Sequence, residues 1–296
     1  TQDGKITTAQ VRAIADGGAY CYTTNKVMGN FSITCTAHYA IPNVSVDADG
    51  VYTNNIPSGA FRGFGAPQGI FCAEMQVSKL AQALGMDPVE LRMRNLLRDD
   101  TPSAMGTVLP GGVSLVEVTE TCAQAAGWLH SGEGDWQKPS VSDPTAGKTL
   151  RRGIGVATGF KNAGFSFGYQ ENCWVKIKLR GSTEIEQASV FIGSAEVGQG
   201  SHTVIQQMAA DALGIPLDLV RLIPSDTATS PGSSGSVSAS RMTYMAGNAI
   251  RTAAQTALAR WRENERPVVV EHVYLAPPTT PLDIVAGQGT PNFSYG

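Results

Sequence analysis

Residues 188–214, which read ASVFIGSAEVGQGSHTVIQQMAADALG, decide the kind of fold that this chain adopts. Residues 188–194 are rich in β-branched and aromatic side chains and predict a strand. Residues 201–213 predict a helix, which Gly214 and Pro216 bring to an end. A strand that runs through a glycine-rich turn into a helix is typical of chains that mix both kinds of element.

The same alternation of strands and helices extends outward in both directions. Asp87 and Pro88 place an N-cap residue and a first-turn proline before residues 89–96, so a helix is predicted there. Helices are also predicted over residues 69–84 and over the alanine-rich stretch 239–265, the longest of them. We therefore predict an α+β fold with mixed sheets and packed helices. The remaining predicted strands are residues 5–16, 42–53, 153–160, 173–180 and 218–224.

The stretch 131–150 is polar and carries glycine and proline, as interdomain linkers do. It predicts a first domain over residues 1–130 and a second domain over residues 151–296. Both ends of the sequence resemble the interior of a fold. We therefore expect the chain to be incomplete at both ends, as part of a longer polypeptide or as one piece of a split subunit.

Composition excludes several classes of function. With 25 acidic and 22 basic residues among 296, the chain has no electrostatic case for a nucleic-acid partner. Charged residues make up only 16%, below the usual fraction of about 25%, which favours burial in a larger assembly. No apolar run approaches the length of a membrane span. The five cysteines and four histidines lack metal-site spacing, so we expect reduced thiols, a cytoplasmic location and no metal ligated directly by protein.

Two apparent nucleotide-binding motifs fail. Residues 146–149 read AGKT like the end of a phosphate-binding loop, but the first glycine of that motif would fall at Ser142. Gly63-Phe64-Gly65 begins like a dinucleotide fingerprint, yet Gln68 stands where the third glycine should be. Neither a nucleotide phosphate nor a nicotinamide cofactor is predicted.

Three glycine- or hydroxyl-rich segments lead directly into predicted helices: residues 57–69, 193–203 and 230–241. Free backbone amides at a helix start suit a bound anion, and Arg62 in the first segment adds a fork-shaped donor. Each segment alone could equally be a tight turn, with core phenylalanines in the first. Together they suggest a large ligand with many polar groups, such as a phosphate-bearing pterin cofactor.

The strings AFRGFGAPQ (60–68), EVGQGSHT (196–203) and GSVSAS (235–240), in this order, carry a resemblance to a known family. They resemble the molybdenum-cofactor-binding subunit of the xanthine dehydrogenase and aldehyde oxidase family, the molybdenum hydroxylases. The resemblance extends over essentially the whole chain and corresponds to the middle of the family's large subunit. It implies molybdopterin-binding domains of the molybdenum hydroxylase type.

The resemblance also implies roles for individual residues. It places the first loop beside the metal and the other two loops against the pterin and its phosphate, while an aromatic pair forms the substrate pocket. The implied cofactor-binding residues are Phe61, Arg62, Gly63, Gly198, Gln199, Gly200, Gly235, Ser236, Val237, Ser238 and Ala239. The implied pocket residues are Phe64, Phe167 and Gly168.

The implied reaction is oxidation of an N-heterocycle, xanthine- or nicotinate-like, or of an aldehyde, with water as the oxygen source. The cofactor would be molybdopterin, possibly as a cytosine dinucleotide, and electrons would pass to iron–sulfur clusters and FAD on partner chains. The family's catalytic glutamate belongs to a Gly-x-Gly-Glu pattern, which this chain lacks. A complementary piece of the molybdopterin subunit is therefore expected to supply it, and no catalytic residue is assigned here.

An alternative interpretation is a non-catalytic scaffold or truncated fragment that holds no cofactor, in which the glycines serve turns only. The two interpretations differ in one observable, because only the first predicts molybdenum in the purified protein.

Overall fold

The computed structural model describes residues 1–36, 38–106, 108–109, 111–132, 136–140, 149, 151–162, 168–238 and 240–281. The chain forms two compact units, Thr1–Lys161 and Asn162–Gly296. The predicted linker, 131–150, lies largely outside the described residues, so the predicted domain limits stay predictions.

The first unit begins with a parallel pair of strands and the helix that connects them. Alternate apolar side chains of both strands pack on Met28 and Phe31 of the helix, which are buried. Both strands were predicted from sequence, but the helix was not, because threonine, asparagine and glycine are weak helix formers. The three elements are β1 (Thr8–Gly18), α1 (Thr24–Thr34) and β2 (Asn43–Tyr52).

Three more helices and a short hairpin complete the first unit. The predicted N-cap is present, since the Asp87 side chain accepts a hydrogen bond of 2.8 Å from the Val89 amide. Trp128 donates its indole hydrogen to the same carboxylate at 3.1 Å and thereby ties the hairpin to the helix start. The elements are α2 (Ala66–Leu84), α3 (Pro88–Asn95), α4 (Leu115–Ala125), β3 (Leu129–His130) and β4 (Trp136–Gln137).

A buried polar cluster joins the helices of the first unit. The Glu74 carboxylate on α2 accepts hydrogen bonds from His38 Nε2 at 3.0 Å and from Arg92 Nε on α3 at 2.8 Å. The Tyr39 hydroxyl and the Thr158 amide donate to the same carboxylate. Burial raises the pKa of Glu74, but the hydrogen bond from His38 and the charge of Arg92 outweigh burial and lower this pKa to about 2.

The predicted strand at residues 153–160 is wrong, because residues 151–162 are irregular and pair with no strand of the described chain. Ile154 and Val156 instead pack on the buried Trp128 and Trp136. The Thr158 amide donates to the Glu74 carboxylate rather than to a neighbouring strand. Packing on the two tryptophans and the Glu74 acceptor therefore contribute to holding a segment whose composition is typical of a strand.

The second unit is a four-stranded mixed sheet covered by two helices. The strand order is β7-β6-β5-β8, with β6 and β7 parallel and the other neighbours antiparallel. Each predicted strand and helix of this unit is present within a few residues. β8 has no predicted counterpart. The elements are β5 (Asn172–Gly181), β6 (Ile185–Ile192), α5 (Ser201–Leu213), β7 (Val220–Pro224), α6 (Arg241–Arg262) and β8 (Val268–Leu275).

The core of the second unit lies between the sheet and α6. Four alternate residues of β5 are fully buried: Cys173, Val175, Ile177 and Leu179. The facing side of α6 is built largely of alanine, which lets the helix approach the sheet closely. The buried alanines are Ala246, Ala249, Ala253, Ala254 and Ala257. This packing fixes the helix whose first residue, Arg241, follows the third glycine-rich segment.

Candidate functional site

The first candidate loop, residues 57–65, lies in the first unit and leads into α2. Three consecutive residues adopt positive φ angles: Gly63 (95°), Phe64 (54°) and Gly65 (97°). The turn is closed by a hydrogen bond of 2.7 Å from the Phe64 amide to the Phe61 carbonyl. A positive φ is uncommon for phenylalanine, so the surrounding structure must hold Phe64 in this conformation.

Gly65 is required by close packing as well as by its backbone angle. A Cβ atom there would overlap the Val27 carbonyl oxygen of α1. The helix α2 can therefore begin against α1 only if this position is glycine. The backbone angle and the packing therefore explain by themselves why residue 65 is glycine, whether or not the loop binds a ligand.

The side chains of this loop are presented outward. Phe61 is 69% exposed, Phe64 is half-buried and Arg62 is exposed. Within the described part of the chain, no hydrogen bond or ion pair engages the Arg62 guanidinium. Arg62 therefore retains all of its donors for an anion or another acceptor, as a cofactor-facing arginine requires.

The second candidate loop, residues 193–200, follows β6 and is filled by its own glutamate. The Glu196 carboxylate accepts hydrogen bonds from the amides of Gly198 (2.8 Å), Gly200 (2.9 Å) and His202 (3.1 Å). The amides of Gly200 and His202 contribute most to lowering the pKa of Glu196 to about 2. The carboxylate occupies the start of α5, where the backbone dipoles favour a negative charge.

Gln199 also bonds within this loop. Its Oε1 accepts from the Val197 amide at 2.7 Å, and its Nε2 donates to the Ala195 carbonyl and the Ser201 hydroxyl, each at 3.1 Å. Gln199 and the amides around it are therefore committed to the loop itself. The exposed side chains of the loop include the apolar Val197, which is 81% exposed.

Sequence reasoning placed Glu196 in this loop but did not predict that it would accept hydrogen bonds from the amides at the start of α5. An acidic residue a few positions before a helix start is itself a signal for capping.

The third candidate loop, residues 232–238, lies beside the second. Gly193 and Ser233 form a parallel bridge that joins the two loops. The Ser234 hydroxyl donates to the Trp174 carbonyl at 3.0 Å, and the Gly235 amide donates to the Ser233 hydroxyl at 3.0 Å. Two of the three predicted loops are therefore adjacent at one end of the sheet of the second unit.

Backbone amides at the third loop fit an anion. Within the described residues, the amides of Ser236, Val237 and Ser238 have no acceptor. They lie three to five residues before the first residue of α6, the longest of the described helices, whose start favours negative charge. Their chemistry fits the phosphate group of a cofactor. Ala239, the fifth residue predicted for this loop, lies outside the described residues.

Arg241, the first residue of α6, is buried beneath this loop and is 2% exposed. Its Nε pairs with the Glu171 carboxylate, and its Nη2 donates to the Asn172 carbonyl at 2.8 Å. Its Nη1 donates to the carbonyls of Ser234 at 2.7 Å and Ser236 at 3.0 Å. Sequence reasoning gave Arg241 no role, because nothing in the pattern SASRM indicates that this arginine is buried.

The predicted aromatic pocket is described only in part. Phe167 lies outside the described residues, so its pairing with Phe64 stays a prediction. Gly168 has a φ of +85°, and its amide donates to the Thr279 hydroxyl at 2.8 Å. A Cβ there would approach Pro281 to 3.1 Å, so local packing also accounts for this glycine.

The described residues contain no group of three or more histidine, cysteine, aspartate or glutamate side chains that could hold a metal ion. None of the helices found there combines the length and the apolar character that crossing a bilayer requires.

Two family models match this chain, and both are described as a molybdopterin cofactor-binding domain. The first matches residues 1–96 and the second matches residues 131–277. The first candidate loop lies within the first match, and the second and third loops lie within the second.

Curated relatives are molybdenum oxidoreductases. The chain is 44% identical over 126 residues to the nicotinate dehydrogenase large molybdopterin subunit of Eubacterium barkeri. The aligned region covers 43% of this chain and 30% of that relative. The chain is 30% identical over 259 residues to a putative xanthine dehydrogenase molybdenum-binding subunit of Escherichia coli. That alignment covers 86% of this chain and 32% of the relative.

Among solved structures, the aldehyde oxidoreductase of Desulfovibrio desulfuricans matches with a TM-score of 0.77 and 25% identity. The match covers 99% of this chain and 32% of that structure. It confirms the predicted α+β fold of molybdopterin-binding domains. The chain spans about a third of the length of these relatives.

Proposed function

Because this chain belongs to the molybdopterin cofactor-binding family of molybdenum oxidoreductases, we propose that it forms part of the cofactor site of a hydroxylase or dehydrogenase. The substrate is an N-heterocycle, xanthine- or nicotinate-like, or an aldehyde, and water is the oxygen source. The relatives include a nicotinate dehydrogenase and an aldehyde oxidoreductase, and these names support this range of substrates.

The observation that carries the proposal is that three amides before α6 have no acceptor among the residues that the structure describes. Ser236, Val237 and Ser238 would hold the phosphate of the pterin, and Gly235 gives the loop its backbone shape, with a φ of +71°. When bound, the cofactor supplies the metal centre for oxygen transfer and takes up the electrons. The protein's part is to hold and orient it through backbone donors.

The other predicted residues take supporting places in the proposal. Phe61, Arg62 and Gly63 would lie beside the metal centre, with the Arg62 guanidinium as the donor. Gly198, Gln199 and Gly200 would contact the pterin as a rigid wall, since their polar groups already bond within the loop. Phe64, Phe167 and Gly168 would form the substrate pocket. The cytosine dinucleotide form of the cofactor belongs to the same proposal.

The partners follow from what this chain does not provide. A complementary piece of the molybdopterin subunit would carry the catalytic glutamate. An iron–sulfur subunit and an FAD subunit would accept electrons, and we propose a cytoplasmic location for the assembly. Names such as "large molybdopterin subunit" and "molybdenum-binding subunit" among the relatives support a multisubunit organisation.

The test is elemental and pterin analysis of the protein purified with its partners from its native source. We expect near-stoichiometric molybdenum, a fluorescent oxidised pterin, and incorporation of labelled oxygen from water into nicotinate, xanthine or an aldehyde. Arg62→Met should lower molybdenum content by about tenfold or more, since a charged hydrogen bond is worth about 1.5–3 kcal/mol. Arg12→Met, at an exposed arginine of β1, is the matched control and should leave molybdenum unchanged. A wild-type assembly with neither molybdenum nor pterin would overturn the proposal in favour of a scaffold.

A further inference from the structure

The guanidinium of Arg241 shapes the third candidate loop from below. Its Nη1 reaches the carbonyls of Ser234 and Ser236, two residues apart on the same short segment. A planar trans peptide directs its N–H opposite to its C=O. The amides of Gly235 and Val237 must therefore point away from Arg241. One of these, Gly235, donates to the Ser233 hydroxyl, and the Val237 amide has no acceptor within the described residues.

The packing around Gly235 is equally specific. A Cβ atom at this position would overlap Nη2 of the Arg241 guanidinium. The loop therefore lies directly on the arginine, with no side chain between them. Its conformation depends on where the guanidinium is held.

Glu171 holds the guanidinium in place. Glu171 is 1% exposed and pairs with Nε, while the Asn172 carbonyl accepts from Nη2. Two consecutive residues, Glu171 and Asn172, thus anchor two sides of the guanidinium at the start of β5. The third side is left for the two loop carbonyls. A buried ion pair of this geometry gains its value from hydrogen bonds that satisfy every side of the group.

We infer that Arg241 and Glu171 are positioning residues for cofactor binding: they hold residues 234–238 in the form that turns the Val237 amide away from Arg241 and towards the cofactor phosphate. This inference rests on the proposed function. Neither side chain contacts the cofactor, because the donors of Arg241 are directed to the loop carbonyls and to β5. Lysine cannot replace Arg241, since a single ammonium group cannot reach two carbonyls and a carboxylate in a fixed fork.

The test combines pterin content with cleavage of the loop. Arg241→Met, Arg241→Lys and Glu171→Gln are made in the full protein and purified with its partners. Pterin is measured by fluorescence. The same variants, produced in a host that cannot make the pterin, are treated with elastase, which cuts after small residues such as those of this loop. The control is Arg92→Met, which removes an arginine from the other buried arginine–glutamate pair, in the first unit.

We expect each Arg241 variant to lose pterin by about tenfold, the effect of one charged hydrogen bond. We also expect cleavage between residues 234 and 240 to become about tenfold faster, since an ordered loop resists proteolysis. Glu171→Gln, which keeps an acceptor, should give a smaller change in the same direction. Arg92→Met should leave the cleavage rate at this loop unchanged.

Other outcomes overturn the inference. Normal pterin content and normal cleavage in Arg241→Met would show that the loop holds its shape without the arginine. Loss of pterin with unchanged cleavage would mean that Arg241 acts by touching the cofactor. A wild-type protein without pterin would reject the proposed function, while the cleavage rates would still decide whether Arg241 orders the loop. Arg241→Lys and Glu171→Gln keep the test decisive should Arg241→Met fail to fold.

Discussion

The Glu196 carboxylate caps the start of α5 through hydrogen bonds with the backbone. Its hydrogen bonds to the amides of Gly198, Gly200 and His202 hold its pKa at about 2, well below the ordinary value of 4.5. A group with a lowered pKa stabilises the folded state above its ordinary pKa, and this stabilisation is lost as the pH falls through the folded value. The affected range is therefore about pH 4.5 to about pH 2.

We expect Glu196→Gln to weaken the loop at neutral pH, because a neutral amide accepts less strongly from three backbone donors. Hydrogen exchange of residues 197–203, corrected for intrinsic rates, should be faster in the variant at pH 7. The difference from wild type should shrink as the pH falls from about 4.5 towards about 2. Glu184→Gln, at an exposed glutamate between β5 and β6, makes the same charge change and should have no effect on these residues. A difference between wild type and Glu196→Gln that does not vary with pH would contradict this account.

Gly65 provides a prediction about stability. Gly65→Ala should lower the free energy of unfolding by about 2 kcal/mol or more, since alanine at a φ of 97° is strained and its Cβ would overlap the Val27 carbonyl. Urea unfolding followed by circular dichroism measures the change. Gly85→Ala is the control, because Gly85 also has a positive φ but its Cβ would meet nothing within 4 Å, so about 1 kcal/mol is expected. Equal losses in the two variants would show that packing against α1 adds nothing.

At the residue scale, sequence reasoning identified the glycines and Arg62 but not the charges that organise the loops. Gly198, Gly200 and Gly235 have positive φ angles, as glycine-rich turns predict. The bonds from Glu196 and Arg241 depend on which polar groups become buried or meet at a helix start. That information arises only when distant segments, such as residue 171 and residue 241, come together.

At the scale of the elements, the charged cluster around Glu74 joins the helices α2 and α3, and we expect a substitution there to lower the free energy of unfolding strongly. Glu74→Ala would leave Arg92 and His38 buried without their shared carboxylate, so we expect a loss of about 3–5 kcal/mol in unfolding free energy. Glu265→Ala is the comparison, because its pair with Arg260 is 46% exposed on each side and is worth at most about 1 kcal/mol.

Chemical denaturation of both variants tests this expectation. A loss below about 1 kcal/mol in Glu74→Ala would mean that the cluster is easily replaced by water or by local rearrangement.

The elements that sequence reasoning missed share a physical cause. α4 reads LVEVTETCAQA, in which β-branched residues are frequent, so its composition does not favour a helix. α1 contains threonine, asparagine and glycine and is held by packing on the parallel strands. Residues 153–160 show the opposite error, because a strand was predicted there and none is formed. Their composition is typical of a strand, but no strand of the described residues lies beside them to pair with. Tertiary contacts decide these segments, whereas strong caps such as Asp87-Pro88 decide α3 locally.

For the molecule as a whole, three short strings were sufficient to predict the family, and the matches over residues 1–96 and 131–277 confirm it. Those strings lie at loops in which several residues have positive φ angles, so few other sequences can adopt the same backbone. The substrate could not be predicted in the same way. The proposed pocket includes Phe167, which lies outside the described residues, and this chain spans only about a third of the relatives' length.

The parallel pair β1 and β2 has a consequence for how this chain behaves in solution. Neither strand has a second neighbouring strand among the described residues, so each offers an open row of amide and carbonyl groups along its outer side. Parallel pairs in globular proteins are normally shielded on every side, and exposed edges recruit further strands from whatever polypeptide is nearby. A preparation of this chain alone should therefore associate with itself more readily as it is concentrated. Properties measured on dilute samples should therefore be those of the monomer.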